Sequence, residues 1–218
     1  MPSRSGKLYI SPLRDPAENL NLERTLLKIG EPAVLIWRAV PAVVVGRNQD
    51  IGAEVNLEYA ERHGIRVVRR ITGGGAMYMD EGNLNICFIT ATRMPVMERC
   101  AEISAEVIRK LGIPAEFGKN DITVDGRKFS GWAETLSRNT SLAHGTIMFD
   151  VNLDALEQIL TPPPEKYGKH GVGSVRQRVV NLADYLSMDM EKFTGYIHAA
   201  FEAAGFTPAE ISSIPPSR

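Results

Sequence analysis

Cysteine is scarce in this chain. Cys87 and Cys100 are the only two among 218 residues, and they form no CxxC pair. That argues against a disulfide scaffold and for a reducing compartment. Net charge is small, −1. No global basic field therefore favours nucleic acid, although the sum conceals any local cluster. No apolar run approaches the ~20 residues needed to span a bilayer. Met1-Pro2-Ser3-Arg4-Ser5-Gly6-Lys7 has no hydrophobic segment of the signal-peptide kind. A cytoplasmic protein with neither a membrane nor a nucleic-acid partner is expected. Hydrophobic residues make up 44% and charged residues 23%, as in soluble globular proteins. The length suits one large domain or two small ones.

Turn and cap chemistry divides the chain. Leu8-Tyr9-Ile10 reads as a short strand. Asp15-Pro16 supplies an N-cap and a proline at the first helical position. Leu20, Leu22, Leu26, Leu27 and Ile29 then lie mostly on one helical face, and Gly30 closes it. Residues 33–37 and 42–45 read as two strands about a turn at Pro41. Asn56 caps a helix that Gly64 ends. Residues 84–89 alternate with period two, which predicts a strand with one drier face. Val96, Cys100, Ile103, Val107 and Leu111 mark an amphipathic helix stopping at Gly112. Asp125-Gly126 between two apolar runs predicts a tight hairpin. A strand over 142–149, a helix over 153–160, a glycine-rich loop over 165–174, a helix over 190–204 and a non-helical tail over 211–218 complete the reading. The predicted class is α+β, one domain with a mixed, largely antiparallel sheet and flanking helices.

The most informative stretch is Arg69-Arg70-Ile71-Thr72-Gly73-Gly74-Gly75-Ala76-Met77-Tyr78. Three glycines let backbone approach a ligand, and two arginines beside them suit a phosphate or carboxylate. On the triplet alone, a hairpin turn with surface arginines is an equal reading. Lys128 alternates with Phe129 and precedes the small pair Ser130-Gly131. It either neutralises charge developing between a carboxylate and a phosphate or is an ordinary solvated lysine. Asn120-Asp121 could meet a nucleotide, ligate Mg²⁺ or form an Asx turn. A lone histidine such as His144, inside an apolar strand, is more often a satisfied core residue than a base. Arg176 and Arg178 share a face if their segment is extended.

Together these clusters resemble the lipoate–protein ligase A family. The match is collinear through Gly46-Arg47-Asn48-Gln49, the Arg69 to Tyr78 stretch, Asp80-Glu81-Gly82-Asn83-Leu84-Asn85, Asn120-Asp121, Gly126-Arg127-Lys128-Phe129-Ser130-Gly131-Trp132-Ala133, His144-Gly145-Thr146, and Ser174 to Leu182. The resemblance implies a fold shared with biotin protein ligases and class II aminoacyl-tRNA synthetases. It implies activation of lipoate or octanoate with ATP and Mg²⁺, then transfer to a lysine of a lipoyl domain. The acceptor would be a dehydrogenase E2, a glycine-cleavage H protein or a similar carrier.

By that resemblance Lys128 is the catalytic cation. Arg70, Gly73, Gly74, Gly75 and Tyr78 belong to the turn that meets the carboxylate or phosphate side. Asn83, Asn120, Asp121, Thr146, Ser174 and Arg176 lie toward the nucleotide, with Asp121 as metal ligand. Trp37, Val44, Arg70, Thr72 and His144 meet the acyl substrate, and the 165–174 loop with Arg176 is a candidate lid. Three positions depart from the family pattern: Met79 stands where histidine is frequent, Trp132 where a small residue is usual, and Ala143 where a further histidine is frequent. Trp132 is expected to narrow the pocket or stack on a ring. Bacterial members append a small C-terminal domain associated with adenylate formation. The chain is therefore expected to be the large catalytic domain alone, with a separate small subunit as a candidate partner. The rival readings are an octanoyl or lipoyl transferase working through a cysteine thioester, a biotin ligase, and a non-catalytic lipoate-binding subunit.

Overall fold

A computed structural model of the chain describes residues 5–161 and 178–214. The chain order is β1 (Gly6–Ile10), α1 (Pro16–Ile29), β2 (Ala33–Trp37), β3 (Ala42–Val45), α2 (Ile51–Glu54), α3 (Leu57–Arg62), β4 (Arg66–Arg69), β5 (Ala76–Met79), β6 (Asn83–Thr90), α4 (Met97–Arg109), β7 (Glu116–Phe117), β8 (Asp121–Val124), β9 (Arg127–Leu136), β10 (Ser141–Met148), α5 (Leu153–Ile159), α6 (Met190–Ala203) and β11 (Phe206–Ala209).

Local chemistry sets the ends of these elements. The Asp15 carboxylate accepts from Ala17 N at 2.7 Å and Glu18 N at 3.4 Å, which starts α1. Gly30 stops it at φ 78°. Asp125 (φ 51°) and Gly126 (φ 73°) take the left-handed conformations of the tight turn between β8 and β9, as the sequence predicts. The start of α4 has no cap of its own. Glu134, from β9, accepts from Val96 N at 2.9 Å and Met97 N at 3.1 Å instead.

Eight strands form one sheet in the order β11-β1-β2-β6-β10-β9-β8-β7, and three form a second in the order β4-β3-β5. Both sheets mix parallel and antiparallel pairs, and the antiparallel pairs predominate. One face of the large sheet is covered by α4 and α6, whose Cys100, Ile108, Phe193, Ile197 and Phe201 meet Ile36, Ile86, Phe88 and Ile147. The other face carries Leu35, Trp37, Cys87 and Leu142 and packs against Leu20 and Leu26 of α1, Val44 of β3 and Met79 of β5. Behind the small sheet, Val43, Val45 and Tyr78 pack on Ala60 of α3 and on Ala155, Leu156 and Ile159 of α5.

Two expectations change, and two further features carried no signal in the sequence. Residues 33–37 and 42–45 are both strands, but β2 and β3 belong to different sheets and do not pair with each other. β6 has no wet face: all eight of its residues are buried, because layers cover the large sheet on both sides. β11 pairs in parallel with β1 and carried no strand pattern in the sequence. The tail, expected to be non-helical, carries a 3-10 turn over Ile211–Ser213 in its described part, and Ile211 and Ile214 pack on the α1 cluster. Among the described residues, no helix is long and apolar enough to cross a membrane.

Candidate active site

Cross-strand register builds one wall of a cavity between the two sheets. Trp37, Asn85, Thr146 and Gly131 stand in one row across β2, β6, β10 and β9, and in the next row His144 and Ala133 reach the cavity while Leu35 and Cys87 do not. The small sheet and the 70–75 turn form the opposite wall, and Leu20 and Glu23 of α1 close one side. The cavity volume is about 690 Å³.

Lys128 is placed by the β8–β9 hairpin. Its Nζ lies 2.7 Å from Asp121 Oδ1, and both side chains are about half exposed. The lysine lies over Gly131, where a Cβ would stand 2.8 Å from Nζ and 3.0 Å from Cε. The uncluttered floor expected from Ser130-Gly131 is therefore present at Gly131. Ser130 is buried and faces away, accepting from Trp132 Nε1 at 2.9 Å. An ion pair this exposed contributes little to stability, so an arriving anion can displace Asp121 at small cost.

The two arginines do more for the backbone than an open anion site would require. Arg69 Nη1 donates to the carbonyls of Gly46 (2.8 Å), Arg47 (3.1 Å) and Gln49 (2.8 Å) and so holds the 46–49 loop. Arg70 is 7% exposed. Its Nη1 donates to Val44 O at 2.9 Å, its Nη2 to Gly73 O at 2.7 Å and Gly75 O at 2.8 Å, and its Nε to Thr72 Oγ1 at 3.0 Å. The turn thus points carbonyls at Arg70. Burial pushes the guanidinium down to about 10, partly offset by Glu23 and Glu54, so it stays charged at neutral pH.

His144 is satisfied on both ring nitrogens. Nδ1 lies 2.7 Å from Glu23 Oε2, and Nε2 lies 2.8 Å from Thr72 Oγ1. Thr146 faces the cavity and accepts from Asn83 Nδ2 at 3.0 Å, while Asn83 Oδ1 accepts from Asp80 N at 2.9 Å. Burial, aided by Asp80, pushes the Tyr78 phenol well above its ordinary range.

Of the residues singled out in the sequence, Lys128, Arg70, Gly74, Gly75, Tyr78, Asn120, Asp121, Thr146, Trp37, Val44 and His144 all line this one cavity. Gly73, Thr72 and Asn83 stand behind the wall and support it through the bonds just given. Ser174, Arg176 and the 165–174 loop lie outside the described residues. Met79 is a buried apolar wall residue. Ala143 belongs to the core on the helix side of the large sheet. Trp132 is among the residues lining the cavity, and its ring lies across Gly145 and near Phe88 in that same core. The wall also carries two acids that sequence reasoning missed, Glu23 and Glu54. The signal for Glu23 was its spacing, because it falls on the apolar stripe of α1 between Leu20 and Leu26. Glu54 carried no such signal.

The model of the lipoyl protein ligase A/B catalytic domain matches residues 15–202. The chain belongs to this family. Among its relatives, lipoate-protein ligase LplJ of Bacillus subtilis is 37% identical over 194 residues, covering 85% of this chain and 59% of that protein. The probable lipoate-protein ligase A of Mycoplasma pneumoniae is 40% identical over 192 residues, covering 83% and 57%. The chain therefore spans somewhat under three-fifths of these relatives' own length. A solved structure of a bi-partite lipoate protein ligase from Thermoplasma acidophilum superposes with a TM-score of 0.83 at 26% identity, covering 96% of this chain and 88% of that one. The matched span includes every residue that lines the cavity.

Proposed function

We propose that this chain is the catalytic domain of a lipoate–protein ligase that joins lipoate or octanoate to a lysine of a lipoyl domain at the expense of ATP. The observation that carries the reading is the ammonium of Lys128, poised over Gly131 with Asp121, Asn120 and Thr146 around it, in a cavity whose walls include the apolar Trp37, Val44, Met77 and Met79. A carboxylate and a triphosphate repel each other, so their reaction needs fixed positive charge where the charge develops. The acid's oxygen attacks the α-phosphorus, the bond to the bridging oxygen breaks, and pyrophosphate leaves. Lys128 releases Asp121 and holds the acyl carbonyl and phosphate oxygens. Arg70 contributes its charge from within the wall.

The residues present fit Mg²⁺ as a companion of the nucleotide. Among the described residues no group of three or more His, Cys, Asp or Glu could cage a metal. Mg²⁺ usually takes one or two carboxylates with substrate phosphates, which Asp121 beside Asn120 can supply. Bound there, it neutralises phosphate charge. The apolar wall takes the acyl chain, at roughly 0.8 kcal/mol per buried CH₂. In the second step the acceptor's neutral ε-amine attacks the acyl carbon, AMP leaves and the amine loses a proton.

The relatives named as ligases support this reading, as does the Thermoplasma structure, described with an E2 lipoyl domain. The description of the Thermoplasma ligase as bi-partite supports a separate small subunit as a candidate partner in adenylation. A cysteine thioester route is disfavoured because Cys87 and Cys100 are fully buried and neither lines the cavity. Mass spectrometry of a lipoyl domain incubated with this chain, ATP, Mg²⁺ and lipoate tests the proposal, with and without a small accessory subunit. A gain of one lipoyl group on lysine, lost without ATP, is the expected result. Lipoate-dependent ATP–pyrophosphate exchange separates a ligase from a mere lipoate binder.

A further inference from the structure

A buried polar chain ties α1 to the glycine turn. Arg70 Nε donates to Thr72 Oγ1 at 3.0 Å, Thr72 Oγ1 lies 2.8 Å from His144 Nε2, His144 Nδ1 lies 2.7 Å from Glu23 Oε2, and Trp37 Nε1 donates to Glu23 Oε1 at 2.9 Å. Glu23 is 1% exposed, Thr72 0% and Trp37 3%.

The fixed ends determine where every proton sits. An arginine only donates, so Thr72 oxygen is the acceptor at that end. A carboxylate and an indole N–H leave Glu23 accepting twice, so Nδ1 of His144 must carry a proton. If Nε2 carried one too, Thr72 would accept from both sides. Its own hydroxyl proton would then be left buried, since the Thr72 hydroxyl has no third partner among the described residues. That costs free energy. A bare Nε2 accepts the hydroxyl proton and closes the chain with every donor pointing from Arg70 toward Glu23.

We infer that Glu23 is a positioning residue: it fixes His144 in the Nδ1–H tautomer and, through Thr72, sets the side chain of Arg70 that holds the Gly73 and Gly75 carbonyls. The shape of the glycine turn, and with it the affinity for the carboxylic acid, is then controlled from α1. The effect on affinity rests on the ligase reading; the tautomer does not. Burial and hydrogen bonds link the groups, and Glu54 is the other acid facing Arg70.

The test is ¹⁵N NMR of the histidine ring nitrogens in the whole chain, with His144 assigned from a His144→Asn spectrum. The wild type should show a bare Nε2 and a protonated Nδ1. Glu23→Gln offers an amide N–H to Nδ1 and should move the proton to Nε2. Glu23→Asp keeps the carboxylate and should keep the wild-type tautomer. Calorimetric lipoate affinity should fall on the order of tenfold in Glu23→Gln, the loss expected from one buried charge-assisted hydrogen bond, and recover in part in Glu23→Asp. A protonated Nε2 in the wild type would overturn the inference, as would an unchanged tautomer in a folded Glu23→Gln. If lipoate binds to none of the proteins, the ligase reading fails while the tautomer result still decides the positioning role.

Discussion

The side chain of Lys128 occupies the space a side chain at residue 131 would need: a Cβ on Gly131 would come within 2.8 Å of its Nζ. The atom in the way is the far end of a flexible chain, so Gly131→Ala should fold. The methyl should push the ammonium off its floor. Adenylate formation is expected to fall about as far as in Lys128→Ala, on the order of 10²–10³, the loss typical of one oxyanion-type contact. Circular-dichroism melts should place both variants near wild type. A Gly131→Ala enzyme with full lipoate-dependent pyrophosphate exchange would remove Lys128 from the chemistry.

Trp132 and Gly145 make a second such pair, on the opposite face of the large sheet. A Cβ at residue 145 would fall 2.3 Å from the indole ring, which itself is buried beside Phe88. Gly145→Ala should therefore destabilise by about 1–3 kcal/mol through overpacking. Trp132→Leu in the same chain should return part of that loss, giving a favourable coupling in a double-mutant cycle. Neither change should alter the KM for lipoate by more than a small factor, because the ring lies in the helix-side core. A large KM effect of Trp132→Leu alone would place the ring in the substrate path.

What the sequence reveals about this fold follows the range of the interactions. The start of α1 and the β8–β9 turn were legible because Asp15-Pro16 and Asp125-Gly126 act on their own neighbours. The split into two sheets was not. β2 and β3 follow each other about the turn at Pro41, and nothing in their residues tells that β3 leaves to pair with β4 and β5. The motifs located the cavity, but not how its arginines are used. Paired arginines beside three glycines read as an anion trap. Which way the carbonyls of Gly73 and Gly75 point is a backbone property that composition does not carry, and those carbonyls bind Arg70. Glu23 was visible only as an acid on an apolar stripe, since its partner His144 is 121 positions away.

Asp121 separates metal use from folding. Its carboxylate holds Lys128 across a half-exposed pair, so Asp121→Asn should change stability by less than about 1 kcal/mol. If Asp121 also meets Mg²⁺ with the nucleotide, the Mg²⁺ concentration giving half-maximal pyrophosphate exchange should rise severalfold or more in that variant. Asp125→Asn, on the same hairpin and bonded to Tyr185, is the matched control and should leave the Mg²⁺ curve in place. Coincident Mg²⁺ curves for Asp121→Asn and wild type would assign the metal to other residues.

The thiols give a test that needs no substrate. Burial pushes the Cys100 thiol from 9.0 up to about 12, and Cys87 upward as well. At pH 8 both stay protonated and out of reach, so a thiol reagent should titrate neither in the native chain and both after denaturation. A folded pKa above the unfolded one means the native state keeps its proton longer. The associated stability is present in full below pH 9 and is lost as the pH climbs from there toward 12. The buried Tyr78 phenol, also shifted upward, adds to that loss in the same alkaline direction. Urea midpoints should therefore hold steady between pH 7 and 8.5 and fall beyond. Rapid native-state labelling of one cysteine at pH 8 would contradict its burial and restore the thioester route as a competitor to ATP-dependent ligation.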